Sequence, residues 1–124
     1  MTNVRNLARI EIDEDHDPRR IGVGTLEDLR LLVTGSPAHQ LEIIPEDEAA
    51  PAGDRPRSVV ATLLVAAATS NGIYVLLLWI RSLCRANGTV IRVTLAGRAI
   101  EVFPNSSEAD LSTWVREIHL GSDD

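Results

Sequence analysis

The sequence predicts an α+β fold, with a mixed sheet and helices packed on one of its faces. Strand-like alternation of polar and apolar residues appears at residues 9–12 and again at residues 91–102. Helical spacing of apolar residues appears at residues 26–33 and 111–118. Since strands and helices interleave before a late hairpin, we expect the order strand, helix, strand, long helix, hairpin, helix.

Size and composition fit one globular domain without a membrane leader. The chain has 124 residues, which we expect to form a single domain over residues 1–124 with its core at about 8–118. A lone cysteine, Cys84, excludes an internal disulfide, and no apolar run follows the N-terminal arginines. These features predict a cytoplasmic protein.

Charge excludes several functions. The net charge is −6, which disfavours nucleic-acid binding because phosphate contacts draw on clustered positive charge. All 12 basic residues are arginine, so mechanisms that need a lysine are excluded.

The first half of the chain contains two short strands and a helix. Residues 9–12 form the first strand, and Thr25 is expected to cap a helix over residues 26–33. Gly35-Ser36-Pro37 ends this helix, and residues 40–44 form the second strand. The acidic, proline-rich residues 45–56 predict a solvated loop.

The uncharged run at residues 58–80 predicts one long kinked helix, or two helices joined at Asn71-Gly72. Arg81 and Arg85, followed by Asn87-Gly88, are typical of a helix end. The run is also long enough to span a bilayer, which would make the protein an inner-membrane-associated anchor. A buried core helix is favoured because polar residues 69–72 lie at the middle of the run.

The clearest local signal is a β-hairpin at residues 91–102. Apolar residues alternate with polar ones on both sides of a turn at Ala96-Gly97-Arg98. Arg92 and Glu101 are placed to pair across its exposed face. Ser107 is expected to cap a last helix, and residues 121–124 are expected to be a disordered tail.

No pattern of residues predicts catalysis or a cofactor. Residues 13–17 are the densest set of possible metal ligands, but they lack the spacing of a known metal loop and favour a solvated turn. The glycines in residues 22–25 precede a helix, where backbone N–H groups could hold an anion, although a tight turn is the better interpretation. Cys84 is expected to be a small core residue.

Three segments carry a family resemblance: Leu78-Trp79-Ile80-Arg81-Ser82, Val90-Ile91-Arg92-Val93-Thr94 and Gly97-Arg98-Ala99-Ile100-Glu101-Val102. Together they resemble the effector-associated constant component 1 domains of bacterial conflict systems. The resemblance extends over roughly residues 8 to 118 and is architectural, since the family has no catalytic residues to transfer. The acidic loop at residues 45–56 departs from the family pattern.

The resemblance implies a non-enzymatic adaptor that binds or tethers an effector protein in defence against invaders. Since no effector module is fused to this chain, the effector is expected on a separate chain. We expect its binding surface at the hairpin edge and the end of the long helix. The candidate partner-binding residues are Trp79, Arg81, Arg85, Arg92, Arg98 and Glu101. Two alternatives remain: a membrane anchor using residues 58–80, and a small ligand- or metal-binding domain using residues 13–17 or 22–25.

Overall fold

A computed structural model describes residues 6–17, 20–45 and 59–122 of the chain. Five strands form one sheet: β1 (Asn6–Asp13), β2 (Leu41–Ile44), β3 (Val59–Ala67), β4 (Ile91–Leu95) and β5 (Arg98–Val102). The described residues form three α-helices: α1 (Gly22–Thr34), α2 (Ser70–Asn87) and α3 (Glu108–Ser122). Two single 3₁₀ turns lie at Glu14–His16 and Pro37–His39.

The sheet has the strand order β2-β3-β1-β4-β5, and every neighbouring pair is antiparallel. The expectation of a mixed sheet is therefore wrong. Strands β1 and β2 run in the same direction but β3 lies between them, and β1 likewise separates β3 from β4. The connections through α1 and α2 thus each pass over one strand. The first six elements follow the split β-α-β order of ferredoxin-like folds, to which β5 and α3 are added.

The α+β class is confirmed, and the helices pack on one face of the sheet. Central strand β1 buries Ala8, Ile10 and Ile12 on this face, and each neighbouring strand contributes the residues that pair with them. The helices add an apolar stripe each to this core, namely Leu26, Leu29 and Val33 from α1, Ile73, Leu76, Leu77, Ile80 and Cys84 from α2, and Leu111, Trp114, Val115 and Ile118 from α3.

The uncharged run does not form the expected long helix. Its first part is strand β3, which pairs with β1 along its whole length and with β2 at its end. Only its second part is helical, because Thr69 is extended and its Oγ1 accepts a hydrogen bond from the Gly72 N–H at 3.0 Å. Among the helices that the structure describes, none combines the length and the hydropathy needed to span a bilayer.

Helix α1 begins earlier than predicted. Thr25 is not its N-cap but lies inside the first turn, where its hydroxyl donates to the Ile21 carbonyl at 2.9 Å. The Asp17 carboxylate replaces it, since one oxygen accepts hydrogen bonds from the N–H groups of Ile21 at 2.6 Å and Gly22 at 3.0 Å. A side chain five residues before the first residue of the helix therefore satisfies the N–H groups at its start.

The predicted end of the long helix and the start of the last helix are confirmed. Helix α2 ends at Asn87, and Gly88 follows with φ of 66°, the left-handed conformation typical of a helix stop. At the start of α3, the Asp110 N–H donates a hydrogen bond to the Ser107 Oγ at 3.1 Å, so Ser107 caps this helix. That helix includes residues 121 and 122, which were expected in the tail. Residues 123 and 124, and nearly all of the predicted acidic loop, lie outside the described residues.

Candidate protein-binding edge of the sheet

Strand β5 is an outer strand of the sheet, and its outward side, which we call the β5 edge, presents the backbone groups of Ala99 and Glu101. Ala96 and Gly97 both have positive φ, which gives a two-residue turn between β4 and β5. Such a turn makes Leu95 and Arg98 a hydrogen-bonded pair, and alternate pairs follow the same pattern. The N–H and C=O groups of Ala99 and Glu101 therefore point away from β4.

The backbone of the β5 edge is regular, although the strand is short and carries the charged side chains of Arg98 and Glu101. No proline or bulge interrupts β5, and its pairing with β4 is regular over all five residues. Within the described residues, neither Ala99 nor Glu101 makes a hydrogen bond outside the β4–β5 ladder. Both residues are exposed. The edge can thus accept a further strand.

Arg98 and Glu101, two of the candidate residues, lie on β5 itself but point to opposite faces of the sheet. Arg98 shares the helix-side face, and its Nη1 lies 3.8 Å from the Glu117 carboxylate of α3. Both of these side chains are more than half exposed, so this ion pair contributes little to stability. Glu101 makes no hydrogen bond or ion pair among the described residues.

Arg92 lies directly opposite Glu101 in the β4–β5 register, but the expected pair between them does not form. Its guanidinium instead turns toward β1, where it holds the Asp13 carboxylate through two hydrogen bonds of 2.7 and 2.9 Å. It also donates to the Glu11 carboxylate at 3.0 Å. These hydrogen bonds to Asp13 and Glu11 raise the pKa of Arg92. The face of the sheet that the described helices do not cover, which we call the open face, carries these three side chains.

Arg81 and Arg85 fasten the connection between β5 and α3. Arg81 Nη1 donates to the Ser106 carbonyl at 3.2 Å, and its Nη2 lies 3.3 Å from the Glu108 carboxylate. The Arg85 Nε donates to the Pro104 carbonyl at 2.6 Å. Both guanidinium groups therefore bind a loop of the same chain. Arg85 is the more exposed of the two residues.

Trp79 lies apart from the other candidate residues. It is half-buried against the core, and its ring meets the His39 ring edge-on with a centroid distance of 5.6 Å. Trp114 is buried in the same core. The structure thus brings Arg98 and Glu101 together on β5, places Arg81 and Arg85 at the loop that follows it, and separates them from Trp79.

The other candidate ligand sites are engaged within the chain. Asp13 is bound by Arg92, and Asp17 occupies the N–H groups at the start of α1 that an anion would need. In the described ranges, no group of three histidine, cysteine, aspartate or glutamate side chains is arranged to hold a metal ion.

Cys84 is a core residue, as predicted. Its side chain is fully buried, and its Sγ lies 3.3 Å from the Val102 carbonyl oxygen, to which the thiol donates. Burial raises the pKa of the Cys84 thiol to about 12. The native thiol is therefore protonated, and a role as a nucleophile is disfavoured.

This raised pKa predicts that alkaline pH destabilises the protein through Cys84. The unfolded chain releases the thiol proton near its ordinary pKa, whereas the folded chain keeps it, so stability is lost as pH rises above that ordinary value. Between pH 9 and 12 we expect the free energy of unfolding to fall by roughly 1 kcal/mol per pH unit from this group. Urea denaturation at several pH values checks this, with Cys84→Ala as control. Parallel pH profiles of the two proteins would contradict it.

Two important residues were missed by sequence reasoning. Glu11 was counted only as the polar partner in an alternating strand, although its side chain is nearly buried beneath Arg92. Asp17 was counted only within an acidic cluster, although it starts α1. Glu11 stands between Ile10 and Ile12 in the sequence, but this pattern alone does not show that its side chain is nearly buried. That becomes clear only when the neighbouring strand, which carries Arg92, is known.

Comparison of the chain with models of known protein families, with curated proteins and with solved structures gives no match.

Proposed function

We propose that this chain is a non-enzymatic adaptor that binds an effector protein, carried on a separate chain, in a bacterial conflict system. The resemblance described above suggests the biological setting. The β5 edge is the observation that supports binding, because its unpaired backbone groups form a ready template for an added strand. The proposal includes the cytoplasmic location expected from the sequence.

Strand addition suits an adaptor for a physical reason. Main-chain hydrogen bonds supply affinity with little dependence on sequence, while alternate side chains on the two faces supply specificity. The loop after β5 is held by Arg81 and Arg85, so the edge has a fixed position relative to α2. A partner would therefore meet a strand that is already formed within the sheet.

The test is a substitution that removes one outward donor without touching the β4–β5 ladder. Ala99→Pro deletes the outward N–H, and proline is tolerated at edge positions whose N–H faces solvent. Ala99→Thr is the matched control, because it keeps the N–H and favours a strand. We expect Ala99→Pro to weaken effector binding by at least about fivefold, whereas Ala99→Thr binds nearly normally.

The effector is first captured from native lysate with the tagged full chain and identified by mass spectrometry. Its affinity for the purified chain and for both variants is then measured by calorimetry. Thermal unfolding and circular dichroism establish that each variant is folded. An effector that binds folded Ala99→Pro as tightly as the unchanged chain would show that the β5 edge is not the binding site.

A further inference from the structure

Charged side chains alternate in sign along one row of the open face. Glu11 on β1 pairs in register with Arg92 on β4, and Arg92 pairs in register with Glu101 on β5. The row therefore reads acid, base, acid from the centre of the sheet to its edge. Opposite charges on directly paired strands stabilise a sheet, and like charges destabilise it.

Among the described residues, no cation pairs with the last acid in this row. The Arg92 guanidinium is committed to Glu11 and Asp13, with its shortest contacts at 3.0 and 2.7 Å to these carboxylates. Glu101 is exposed and makes no hydrogen bond or ion pair among the described residues. An added strand would place one of its residues beside Glu101, on the side away from Arg92.

The neighbouring rows define what else the added strand would meet. On the helix-side face, Ile10, Val93 and Ile100 form an apolar row that ends with half-buried Ile100 at the edge. On the open face, the row through Thr94 ends with the small side chain of Ala99. The edge thus offers an acid, an apolar residue and a small residue in succession.

We infer that the effector segment adds to β5 as a sixth strand, with a basic residue opposite Glu101 and an aliphatic, β-branched residue opposite Ile100. This inference rests on the proposed function and specifies the chemistry of its partner. On the other side of β5, strand β4 places Arg92, Val93 and Thr94 opposite the same residues, namely Glu101, Ile100 and Ala99. The partner strand is expected to carry the same pattern of basic, aliphatic and hydroxyl residues.

A second copy of this chain does not meet the requirement through its own β5. Suppose that the β5 strands of two copies pair antiparallel through the N–H and C=O groups of their outer sides. Three registers are then possible, and they place Gly97, Ala99 or Glu101 of the second copy opposite Glu101 of the first. No register supplies a cation, and the last brings two carboxylates together. The other outer strand, β2, consists of Leu-Glu-Ile-Ile and has no basic residue either. Neither described outer strand of a second copy supplies the base, so the inferred occupant is a basic segment of the effector.

The experiment uses the full chain, labelled with ¹⁵N, and two synthetic twelve-residue peptides. Both have the central sequence Thr-Val-Xaa-Val-Thr, in which Xaa is Arg in one peptide and Glu in the other. Amide shifts of Ala99 and Glu101 report binding at the edge. We expect the Arg peptide to bind about two- to fivefold more tightly than the Glu peptide. The variant Glu101→Arg should reverse this preference.

A control variant separates the local pair from the overall charge of the protein. Asp28→Arg changes the net charge by the same amount at an exposed position of α1, which packs against β2 and β3, so it should retain the preference for the Arg peptide. Equal reversal by both variants would overturn the inference and leave only long-range attraction.

Two further outcomes would overturn the inference without deciding the proposed function. If both peptides shift Ala99 and Glu101 with equal affinity, the edge accepts strands but does not select a base. If neither peptide shifts these amides, a strand of this pattern is not the partner. The proposed function is decided separately, by effector binding to Ala99→Pro and Ala99→Thr.

Discussion

Substitution of Arg92 by methionine is expected to lower the free energy of unfolding by about 3 kcal/mol, more than any other arginine substitution on the sheet. Arg92 forms four hydrogen bonds to two carboxylates, and the Glu11 side chain is only 7% exposed. Methionine keeps the length of the side chain but leaves a nearly buried carboxylate without a cation. Removing one partner from a buried ion pair costs several kcal/mol, and the partial exposure of Arg92 reduces this value.

Arg98→Met is the matched control for this prediction. Arg98 also lies on the hairpin and faces a glutamate, but both side chains are more than half exposed and their atoms are 3.8 Å apart. We expect a loss below about 0.5 kcal/mol for this variant. Urea denaturation at pH 7, followed by circular dichroism, measures both values. Adding Glu11→Gln to Arg92→Met should recover part of the loss, because the buried charge is then removed. Equal losses for Arg92→Met and Arg98→Met would contradict the prediction.

Substitution of Gly72 by alanine is expected to destabilise the protein by about 2 kcal/mol, although alanine normally favours a helix. Gly72 lies in the first turn of α2, where a Cβ atom would come within 2.8 Å of the His39 backbone carbonyl oxygen. This contact is too close for any real Cβ atom, and backbone atoms cannot move away as a flexible side chain can. The 3₁₀ turn at Pro37–His39 and the start of α2 must therefore separate.

Gly24→Ala provides a control of the opposite sign. Gly24 is exposed in the first turn of α1, and a Cβ atom there would meet nothing within 4 Å. Alanine should therefore stabilise the protein by about 0.5–1 kcal/mol, the usual difference in helix propensity. Thermal and urea denaturation of the two variants give the comparison. If both substitutions stabilise the protein, α2 and the 3₁₀ turn are not packed as described.

The Arg92 cluster also bears on the proposed function. It connects β4 to the end of β1, and among the described strands β5 pairs only with β4. A folded Arg92→Met variant that loosens this connection should weaken strand addition at the β5 edge as well as overall stability. The position of the candidate site thus depends on a charge cluster on the adjacent strands.

Local sequence signals were sufficient for the hairpin, for the ends of α1 and α2 and for the start of α3. Alternating apolar residues around Ala96-Gly97 predict β4 and β5, since a two-residue turn with positive φ fixes the register of its strands. Gly88 and Ser107 mark the end of α2 and the start of α3 because their interactions involve residues within four positions of each. Such interactions join residues that are close in the sequence, so a short stretch of sequence is enough to predict them.

Strand β3 could not be predicted in this way. It lies between two strands, and it buries residues on both faces: Val65 and Ala67 toward the helices, Leu64 and Ala66 on the open face. A strand buried on both sides has a continuous apolar sequence, which resembles a buried helix when read alone. Its alanines favoured the helical interpretation, and only its pairing with β1 and β2 decides the matter.

The sequence by itself determined the α+β class, the hairpin and the core position of Cys84, because these follow from local periodicity, turn residues and composition. The tertiary structure alone decided the antiparallel strand order, the strand at residues 59–67 and the partners of Arg92. Arg92 is separated from Glu11 by 81 positions in the chain, and they meet only because β1 lies beside β4. That placement leaves Glu101 without a cation among the described residues, which is the feature on which the inferred partner chemistry depends.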